Sequence, residues 1–522
     1  MILTKLPLND TRAFSPFFLD YIQQKETLAP FYSRFPTLHN FKSQLLEKAS
    51  FPAENRNVLV RTLQEQYKNL STTDLVKSNL LSLADAKTFT ITTGHQLNIF
   101  TGPLYFIYKI VTVINACKQL KAIYPEFNFV PVYWMASEDH DYAEIKYFRL
   151  YGKKYTWETN QLGAVGRFNL DGIEALLNQV PGEIKIFRDA YHKKKKLSDA
   201  VRDYVNALFS NEGLVVVDAD DHGLKALFKN VIREDIVQNT TRKLVDQTNQ
   251  QLENLGYKTQ IYCRDVNFFY LGDGLRNRIE KSGEFYQVVE SDIRFTQTEL
   301  DSLIENEPEK FSPNVILRPL YQEVILPNLG YVGGPAEVIY WLQLKSVFDH
   351  HHIPFPILIP RNFALVVEHT THRKFEKTGL EMKDFFEDKN YLFNHWVLKH
   401  APQNLTVGEE RALISEIFER LRSRAESVDA TLSPFLKAEG KRALNSLEKI
   451  ERKMLRAGKR LHSDKLRQIE AVKDALFPNG SLQERTDNFL NFFQQDDQFI
   501  KKLLDQLEPF DFQFNILTYP SA

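Results

Sequence analysis

The stretch Thr-Phe-Thr-Ile-Thr-Thr-Gly-His-Gln-Leu-Asn-Ile-Phe-Thr-Gly-Pro, residues 88–103, decides the fold. Its first six residues are β-branched or aromatic, which is typical of a strand. Gly94 ends that strand, and Gly102 with Pro103 predicts the start of a helix that runs to about residue 122. Residues 127–136, Phe-Asn-Phe-Val-Pro-Val-Tyr-Trp-Met-Ala, predict a second strand, buried on both faces. Strand, helix and strand in this order indicate a βαβ unit and therefore a parallel sheet.

Further elements extend this α/β pattern along the chain. Strands are predicted at 214–218, 314–318 and 356–359, and Gly333-Gly334-Pro335 predicts a helix that ends near the run His350-His351-His352. Two glycine- or loop-rich segments interrupt the pattern and are interpreted as insertions. The predicted division is 1–150 (first part of the core), 151–212 (first insertion), 213–256 (core), 257–312 (second insertion), 313–400 (last part of the core), 401–477 (helical arm) and 478–522 (return to the core).

The arm has a different composition from the rest of the chain. Of the 71 residues in 407–477, 28 are charged, and apolar residues recur at steps of three and four. Ser433-Pro434 is interpreted as an N-cap followed by the first residue of a helix. We therefore expect two long helices with a narrow, coiled-coil-like seam that mediates a homodimer; the alternative is a pair of helices lying on the core. The seam consists of Leu413, Ile417, Leu421, Ala425, Val428 and Leu432, then Leu447, Ile450, Met454, Ala457 and Leu461.

Overall composition excludes several classes of protein. The chain has 522 residues, with 66 Lys and Arg against 67 Asp and Glu, so no global attraction to nucleic acid or to anionic membranes is expected. Cys117 and Cys263 are the only cysteines, which argues against a disulfide framework and a four-cysteine zinc site. No apolar run approaches the ~20 residues of a membrane span. A cytoplasmic protein without bound zinc is the expectation.

The first candidate site is the segment that links the first strand to its helix. His95 and Gln96 would project into the crevice at the carboxyl edge of the sheet, where ligands of open α/β sheets bind. Gly94, Thr101 and Gly102 would offer backbone N–H groups to a phosphate or carboxylate. The alternative is an ordinary glycine-rich turn.

The second candidate site is Ser-Glu-Asp-His-Asp-Tyr, residues 137–142, which follows the next strand. Glu138, Asp139, His140 and Asp141 could bind an ammonium group, a sugar hydroxyl or Mg²⁺, and one carboxylate could take a proton. Glu138, Asp139 and His95 are thus the candidate catalytic residues. The alternative is a turn with solvated charges.

The third candidate site lies in residues 318–323 and 331–340. Arg318, Tyr321 and Tyr340 are candidate substrate contacts, and the glycine loop at 333–334 with Glu337 could hold the ribose or adenine of a nucleotide. Alternatively, the glycines Gly333 and Gly334 only make the turn. All three segments are expected to meet at one edge of the sheet. The histidines at 350–352 are interpreted as structural helix-end residues, since no spaced carboxylate partner is evident.

Several motifs in this chain resemble the bacillithiol-biosynthesis cysteine-adding enzymes (BshC), also called cysteine ligases. They are Thr93-Gly-His-Gln-Leu-Asn-Ile-Phe-Thr-Gly-Pro-Leu-Tyr, Trp134-Met-Ala-Ser-Glu-Asp-His-Asp, Phe311-Ser-Pro-Asn-Val-Ile-Leu-Arg-Pro-Leu-Tyr-Gln, Gly333-Gly-Pro-Ala-Glu with Tyr340-Trp, Pro360-Arg, and Pro478-Asn-Gly-Ser-Leu-Gln-Glu-Arg. They follow the order of that family and span almost the whole chain. The family usually has Gln where His95 stands and Gly where Ala336 stands. The resemblance adds Arg361 to the candidate substrate contacts and Gln483 and Arg485 to the candidate nucleotide contacts.

The resemblance implies a Rossmann-like core with two inserted peptides and a coiled-coil domain that mediates dimerisation. It implies that the enzyme joins the carboxyl group of cysteine to the amine of glucosaminyl-malate in the last step of bacillithiol biosynthesis. ATP or ADP with Mg²⁺ is the expected source of activation, because a free carboxylate must be activated before an amine attacks it. Another nucleotide-dependent transferase, a nucleotide-binding dimeric scaffold and a metal hydrolase using residues 138–141 remain alternatives.

Overall fold

The structure is a computed structural model that describes residues 1–520. Its strands are β1 Ile2–Leu6, β2 Thr88–His95, β3 Asn128–Met135, β4 Tyr147–Leu150, β5 Lys153–Thr156, β6 Val215–Asp218, β7 Phe268–Gly272, β8 Leu275–Ser282, β9 Phe285–Val288, β10 Arg294–Thr296, β11 Phe311–Pro313, β12 Asn328–Gly333, β13 Ile357–Pro360, β14 Phe363–Val367 and β15 Phe514–Thr518.

Helices make up most of the remaining described structure. They are α1 Pro16–Ile22, α2 Asn40–Lys48, α3 Ala53–Tyr67, α4 Asp74–Ser82, α5 Tyr105–Ile123, α6 Tyr142–Ile145, α7 Ile173–Leu177, α8 Lys185–Lys193, α9 Leu197–Phe209, α10 His222–Ala226, α11 Lys229–Gln238, α12 Thr240–Asn254, α13 Gln297–Asn306, α14 Arg318–Ile325, α15 Pro335–Leu342, α16 Lys345–His350, α17 His369–Glu376, α18 Lys389–His400, α19 Gly408–Glu426, α20 Leu432–Leu461, α21 Ser463–Leu476, α22 Gln483–Thr486, α23 Leu490–Phe493 and α24 Phe499–Gln506.

The core is a five-stranded sheet in the order β13-β12-β2-β3-β6, and every neighbouring pair is parallel. The apolar helix α5 connects β2 to β3 and packs on both strands, so the predicted βαβ unit is confirmed. The strands predicted near 214–218 and 356–359 are confirmed as β6 and β13. Because all five strands run the same way, their carboxyl ends form one edge, where a site can be built.

Two parts of this core differ from the prediction. The central strand β12 lies in a glycine-rich stretch that was not predicted as a strand; a Cβ on its Gly330 would lie 2.9 Å from Ile359 Cδ1, so only glycine fits between its neighbours. The predicted strand at 314–318 is wrong. The Asn314 side chain instead accepts backbone bonds from Ile316 and Leu317, which makes a turn, and Arg318 is the first residue of α14 rather than the end of a strand.

The two inserted segments fold as separate layers against the core. The segment 151–212, expected to be turn-rich, also contains α7, α8 and α9, whose apolar faces pack with the β4–β5 hairpin. The second insertion supplies four strands of an antiparallel sheet in the order β10-β9-β8-β7-β11. A third sheet, β1-β15-β14, joins strands that are far apart in sequence.

The helices α19 and α20 form the arm, and almost none of it is buried. In the pair, buried residues are confined to Gly440 and Gly458 of α20. Phe418 of α19 packs on Gly440, where a Cβ would lie 3.1 Å from its ring. The second helix begins at Leu432, two residues before Pro434, so the predicted N-cap at Ser433 is wrong. Among the described residues, no helix is long and apolar enough to cross a membrane.

Candidate functional site

A cavity of about 640 Å³ opens at the carboxyl edge of the parallel sheet. Its floor is formed by the last residues of β2 and β3, including Gly94, His95 and Trp134, and by Tyr331 of β12. The second insertion forms the opposite wall with Tyr262, Arg264, Phe269 and Arg276. The cavity therefore lies where ligands of open α/β sheets bind, and the insertion partly covers it.

One wall of the cavity is acidic and begins with Glu138. Its carboxylate pairs with Lys225, whose ammonium group is fully buried and also donates to the Phe311 carbonyl at 2.7 Å. Burial raises the pKa of Glu138 to about 7, although the Lys225 charge acts in the opposite direction. This carboxyl group therefore titrates near neutral pH, which suits proton transfer.

Asp139 follows Glu138 in the chain, but its pKa is shifted in the opposite direction. It accepts from Gln96 Nε2 at 2.9 Å and from the His140 backbone N–H at 2.7 Å, and Arg276 Nη1 is 3.7 Å away. Burial would raise the pKa of Asp139, but these donors outweigh it and hold the pKa well below its usual value. Asp139 is therefore a permanent anion and a weak base.

Arg318 supplies a second charged part of the lining, the cationic wall. Its guanidinium carbon lies 5.8, 5.5 and 5.8 Å from the ring centres of Trp134, Tyr331 and Trp341. Nη1 donates to Gln322 at 3.1 Å, but Nη2 is buried without a hydrogen-bond partner. No carboxylate oxygen of the described residues makes an ion pair with Arg318. A buried guanidinium with a free donor calls for an anionic ligand.

Lys109 and Glu337, a predicted site residue, form an ion pair in the lining of the same cavity. Lys109 Nζ lies 2.5 Å from Glu337 Oε2 and donates to the Gly94 carbonyl at 2.8 Å. Glu337 also accepts from Tyr331 Oη at 2.7 Å and from the Gly334 N–H at 2.8 Å. The pair thus links α5, β2 and α15 and fixes the shape of the floor.

His95 contacts this floor through its ring, which packs on Tyr105 and Phe106 with ring centres 5.3 Å apart in both cases. Burial, helped by the nearby Lys109 charge, lowers the pKa of His95 to about 3, so the ring is neutral at any working pH. Its Nε2 is buried without a partner. His95 is therefore a neutral hydrogen-bonding group at the cavity and not a cation.

Several predicted site residues are used by the fold instead. None of residues 97–104 lines the cavity, and the Leu104 N–H at the start of α5 donates to the Asp487 carbonyl at 2.7 Å. Thr101 and Gly102 are buried beside it, and Asn488 Nδ2 donates to the Gly102 carbonyl at 2.6 Å. The prediction that Thr101 and Gly102 bind a phosphate or carboxylate in the cavity is therefore wrong, because this turn contacts residues 487–488 of the C-terminal segment instead.

Three more candidates lie behind the cavity. Arg361 makes a buried two-pronged pair with Glu484, at 3.0 and 2.5 Å. Gln483 exchanges hydrogen bonds with the Val366 backbone at 2.8 and 3.0 Å, as a strand would. Tyr321 is fully buried and donates to the Ala219 carbonyl at 2.9 Å. These side chains hold the core together and do not reach the cavity.

The remaining candidates lie at the margins of the cavity. Tyr340 lines it, whereas Asp141 is exposed outside it and the His140 ring is bonded to Arg276. Gly333 and Gly334 form the turn into α15 without lining the cavity, and Arg485 lines a separate cavity of about 230 Å³.

The sequence analysis missed Lys109, Lys225 and Arg276 as site residues. Lys109 had a usable signal, because it is the only charged residue in the largely apolar run 103–117. Arg276 lines the cavity and Lys225 pairs with Glu138 of its lining. Both come from elements that are distant in sequence, so no local pattern marks them. Their role became visible only through their contacts with Glu138 and Asp139.

Comparison with known proteins gives matches over nearly the whole chain. The family model for the N-terminal Rossmann-like domain of bacillithiol biosynthesis BshC matches residues 1–362, and that for its C-terminal coiled-coil domain matches residues 364–519. Proteins named "Putative cysteine ligase BshC" are similar throughout: that of Flavobacterium johnsoniae is 43% identical over 97% of both chains. That of Cytophaga hutchinsonii is 40% identical over 99% of this chain and 98% of its own. The Bacillus licheniformis protein is 28% identical over 98% of both.

Proposed function

The chain belongs to the BshC family of bacillithiol biosynthesis, and on that basis we propose that it is a cysteine ligase. The proposed reaction joins the carboxyl group of cysteine to the amine of glucosaminyl-malate. An amide bond forms, the carboxylate loses one oxygen to the activating group, and the amine loses a proton. The proposal places this reaction in the cavity at the carboxyl edge of the sheet.

The observation that carries the proposal is the presence of opposite charges in the lining of one cavity. Arg318 supplies a buried cation with a free donor, and Glu138 and Asp139 supply carboxylates to the same cavity. A carboxylate substrate fits the first wall, and an ammonium group or amine fits the second. Cysteine and an amino sugar together present these two kinds of group, so the cavity suits the two substrates.

The two carboxylates divide the work on the acidic wall. Asp139 stays ionised and would orient the amine by accepting hydrogen bonds from it. Glu138, with its pKa raised to about 7, would take the proton that the amine loses on attack. This assignment moves the proton-transfer role from Asp139 to Glu138, because an anion with a strongly lowered pKa is a poor base.

Activation of the carboxylate is proposed to come from ATP with Mg²⁺. When bound, the nucleotide would supply the group that turns a carboxylate oxygen into a leaving group. Arg318 Nη2 and His95 Nε2, both buried without partners, are two groups at the cavity that could donate to its phosphates or to the carboxylate that is activated. Lys109 is already bonded to Gly94 and Glu337, so it positions the floor and does not contact the nucleotide.

The arm is proposed to mediate a homodimer through its exposed apolar face. Leu413, Ile417 and Leu421 of α19 are 58%, 46% and 39% exposed, although they recur on one side of the helix. Such a stripe is unusual on a surface that stays in water and is typical of a helix that packs on a second copy.

The proposed ligase activity is tested with purified protein, cysteine, glucosaminyl-malate and ATP with Mg²⁺, followed by mass spectrometry. The expected product is cysteinyl-glucosaminyl-malate, formed with consumption of nucleotide. Omitting ATP should abolish it. If the product forms equally well without nucleotide, the proposed activation by ATP is wrong. If no product forms when cysteine, glucosaminyl-malate and ATP with Mg²⁺ are all present in fresh supply, the ligase proposal is wrong.

A further inference from the structure

The histidine run at the end of α16 meets a carboxylate from another helix. Glu234 of α11 places Oε1 at 2.5 Å from His350 Nε2 and Oε2 at 3.9 Å from His351 Nδ1. One oxygen or nitrogen from each of the three residues falls within a group whose members all lie within 4.8 Å of one another. No spaced carboxylate partner is evident in the sequence near these histidines, which were therefore interpreted as structural. The helix α11 supplies that partner from more than 100 positions away.

We propose that Glu234, His350 and His351 form a binding site for a divalent transition-metal ion such as Zn²⁺. Two imidazole nitrogens and one carboxylate are a common ligand set for zinc, with solvent in the fourth position. Ligand atoms about 2.0–2.1 Å from a tetrahedral ion are separated by roughly 3.3 Å. The two measured carboxylate–histidine separations both lie within ~1 Å of that value.

The surroundings of the cluster favour a bound cation over a simple ion pair. One protonated histidine would already neutralise Glu234, yet two imidazoles converge on the same carboxylate. The site also lies at the carboxyl end of α16, where a positive charge is favoured.

A metal at this position would join two supports of the cavity. Asp235, next to Glu234, accepts two bonds from Asn267 at 2.6 and 3.0 Å, and this holds the loop that carries Arg264 into the cavity. The helix α16 directly follows α15, which carries Glu337 and Tyr340. The bound ion would therefore link the covering insertion to the sheet, at a distance from the reacting groups.

The site is tested on the full-length protein after removal of metals with EDTA. Zinc is added in the presence of a chromophoric chelator, and the stoichiometry and affinity are measured by competition. One zinc per chain is expected, and Glu234→Gln and His351→Gln should each weaken binding by more than about 10-fold, since even outer-shell changes reach that scale. Zinc should also raise the melting temperature of the wild type and of neither variant.

Two control variants separate this site from surface binding. His352→Gln removes the histidine that follows the proposed ligands. His222→Gln breaks a different exposed histidine–carboxylate pair, in which His222 Nδ1 lies 2.6 Å from Glu309 Oε2. Both should keep wild-type affinity. Cobalt substitution gives an independent measure, because a four-coordinate Co²⁺ site absorbs visible light and loses that absorption when zinc is added.

The possible results are distinct. No stoichiometric binding at micromolar zinc would overturn the proposal, and so would binding that survives Glu234→Gln and His351→Gln unchanged. If one variant is unfolded without metal, the other variant and the cobalt spectrum of the wild type decide. None of these measurements depends on turnover, so they stand apart from the ligase assay.

Discussion

The cavity and the arm distribute charge and apolar surface in opposite ways. Around the cavity, the charged groups of Lys109, Lys225 and Arg318 are buried among aromatic rings or beside carboxylates. On the arm, apolar residues such as Leu413 and Val428 are exposed, and the charged residues surround them. Buried charge requires a partner, and exposed apolar surface requires cover, so each region is incomplete in its own way.

The difference separates two kinds of binding. The cavity offers fixed charges for small polar molecules, and its shape is set by hydrogen bonds that connect distant elements. The arm offers a continuous apolar stripe, which suits another protein surface and has little use for a small substrate. Changes in the cavity should therefore act on turnover, and changes on the arm should act on assembly.

The largest expected effect is on the proton acceptor. Glu138→Gln should lower kcat by about 10²–10⁴-fold, the usual scale for a positioned acid–base group. The matched control is Glu323→Gln, because Glu323 pairs with Lys48 at 2.9 Å in a buried position away from the cavity. Both variants lose a buried charge pair, and thermal unfolding should show a similar loss of stability. Equal loss of turnover in the two would mean that Glu138 only supports the fold.

The second effect concerns the cationic wall. Arg318→Gln should raise the KM of the substrate whose carboxylate it binds, or of the nucleotide, by about 10–100-fold, the scale of a hydrogen bond to a charged group. Steady-state kinetics with each substrate varied in turn identify the ligand. Arg318→Lys keeps the charge but loses the planar fork, so it should recover only part of the affinity. Unchanged KM values for every substrate would remove Arg318 from the site.

The third effect is the pH dependence of the wild type. Glu138 accepts a proton only when ionised, and its pKa is raised to about 7. As the pH rises towards about 7, kcat/KM should therefore increase about tenfold for each pH unit. Above about pH 7 it should stay constant. The rate profile is measured between about pH 5.5 and 8.5 at constant ionic strength. A limb near pH 4 instead would point to a carboxyl group with an ordinary pKa.

The smallest effect on turnover is expected from the arm. Leu413→Glu combined with Ile417→Glu would place two charges in a buried dimer seam. Burying even an uncharged polar group without a partner costs ~2–7 kcal/mol, and a charge costs more. Light scattering after size exclusion should show a monomer, with turnover within about twofold of the wild type, since none of these residues lines the cavity. Lys441→Glu, on an exposed polar position of α20, is the control. A dimer that persists would place the interface elsewhere.

Local sequence patterns predicted the parallel core well because its strands are apolar and β-branched. The strand β12 was not predicted because Asn328, Gly330 and Gly333 are residue types that disfavour strands. Only the neighbouring side chains in the folded structure show why glycine is needed at Gly330. Gly94, His95, Glu138 and Asp139 reach the cavity because residues after parallel strands meet at one edge. Arg361 and Gln483 were wrongly predicted to contact ligands, because a polar residue in a motif that resembles a family's can equally form a buried structural hydrogen bond.

The sheet β1-β15-β14 has a consequence for how the chain folds. β15 lies between β1 and β14, so residues 2–6 gain their partner only when residues 514–518 are available. During synthesis, the first strand must remain unpaired while the core, the insertions and the arm emerge from the ribosome. The arm can form its local helices early, whereas this sheet closes last. Loss of the last strand would therefore leave an open edge beside β14, prone to pairing with other unfinished chains.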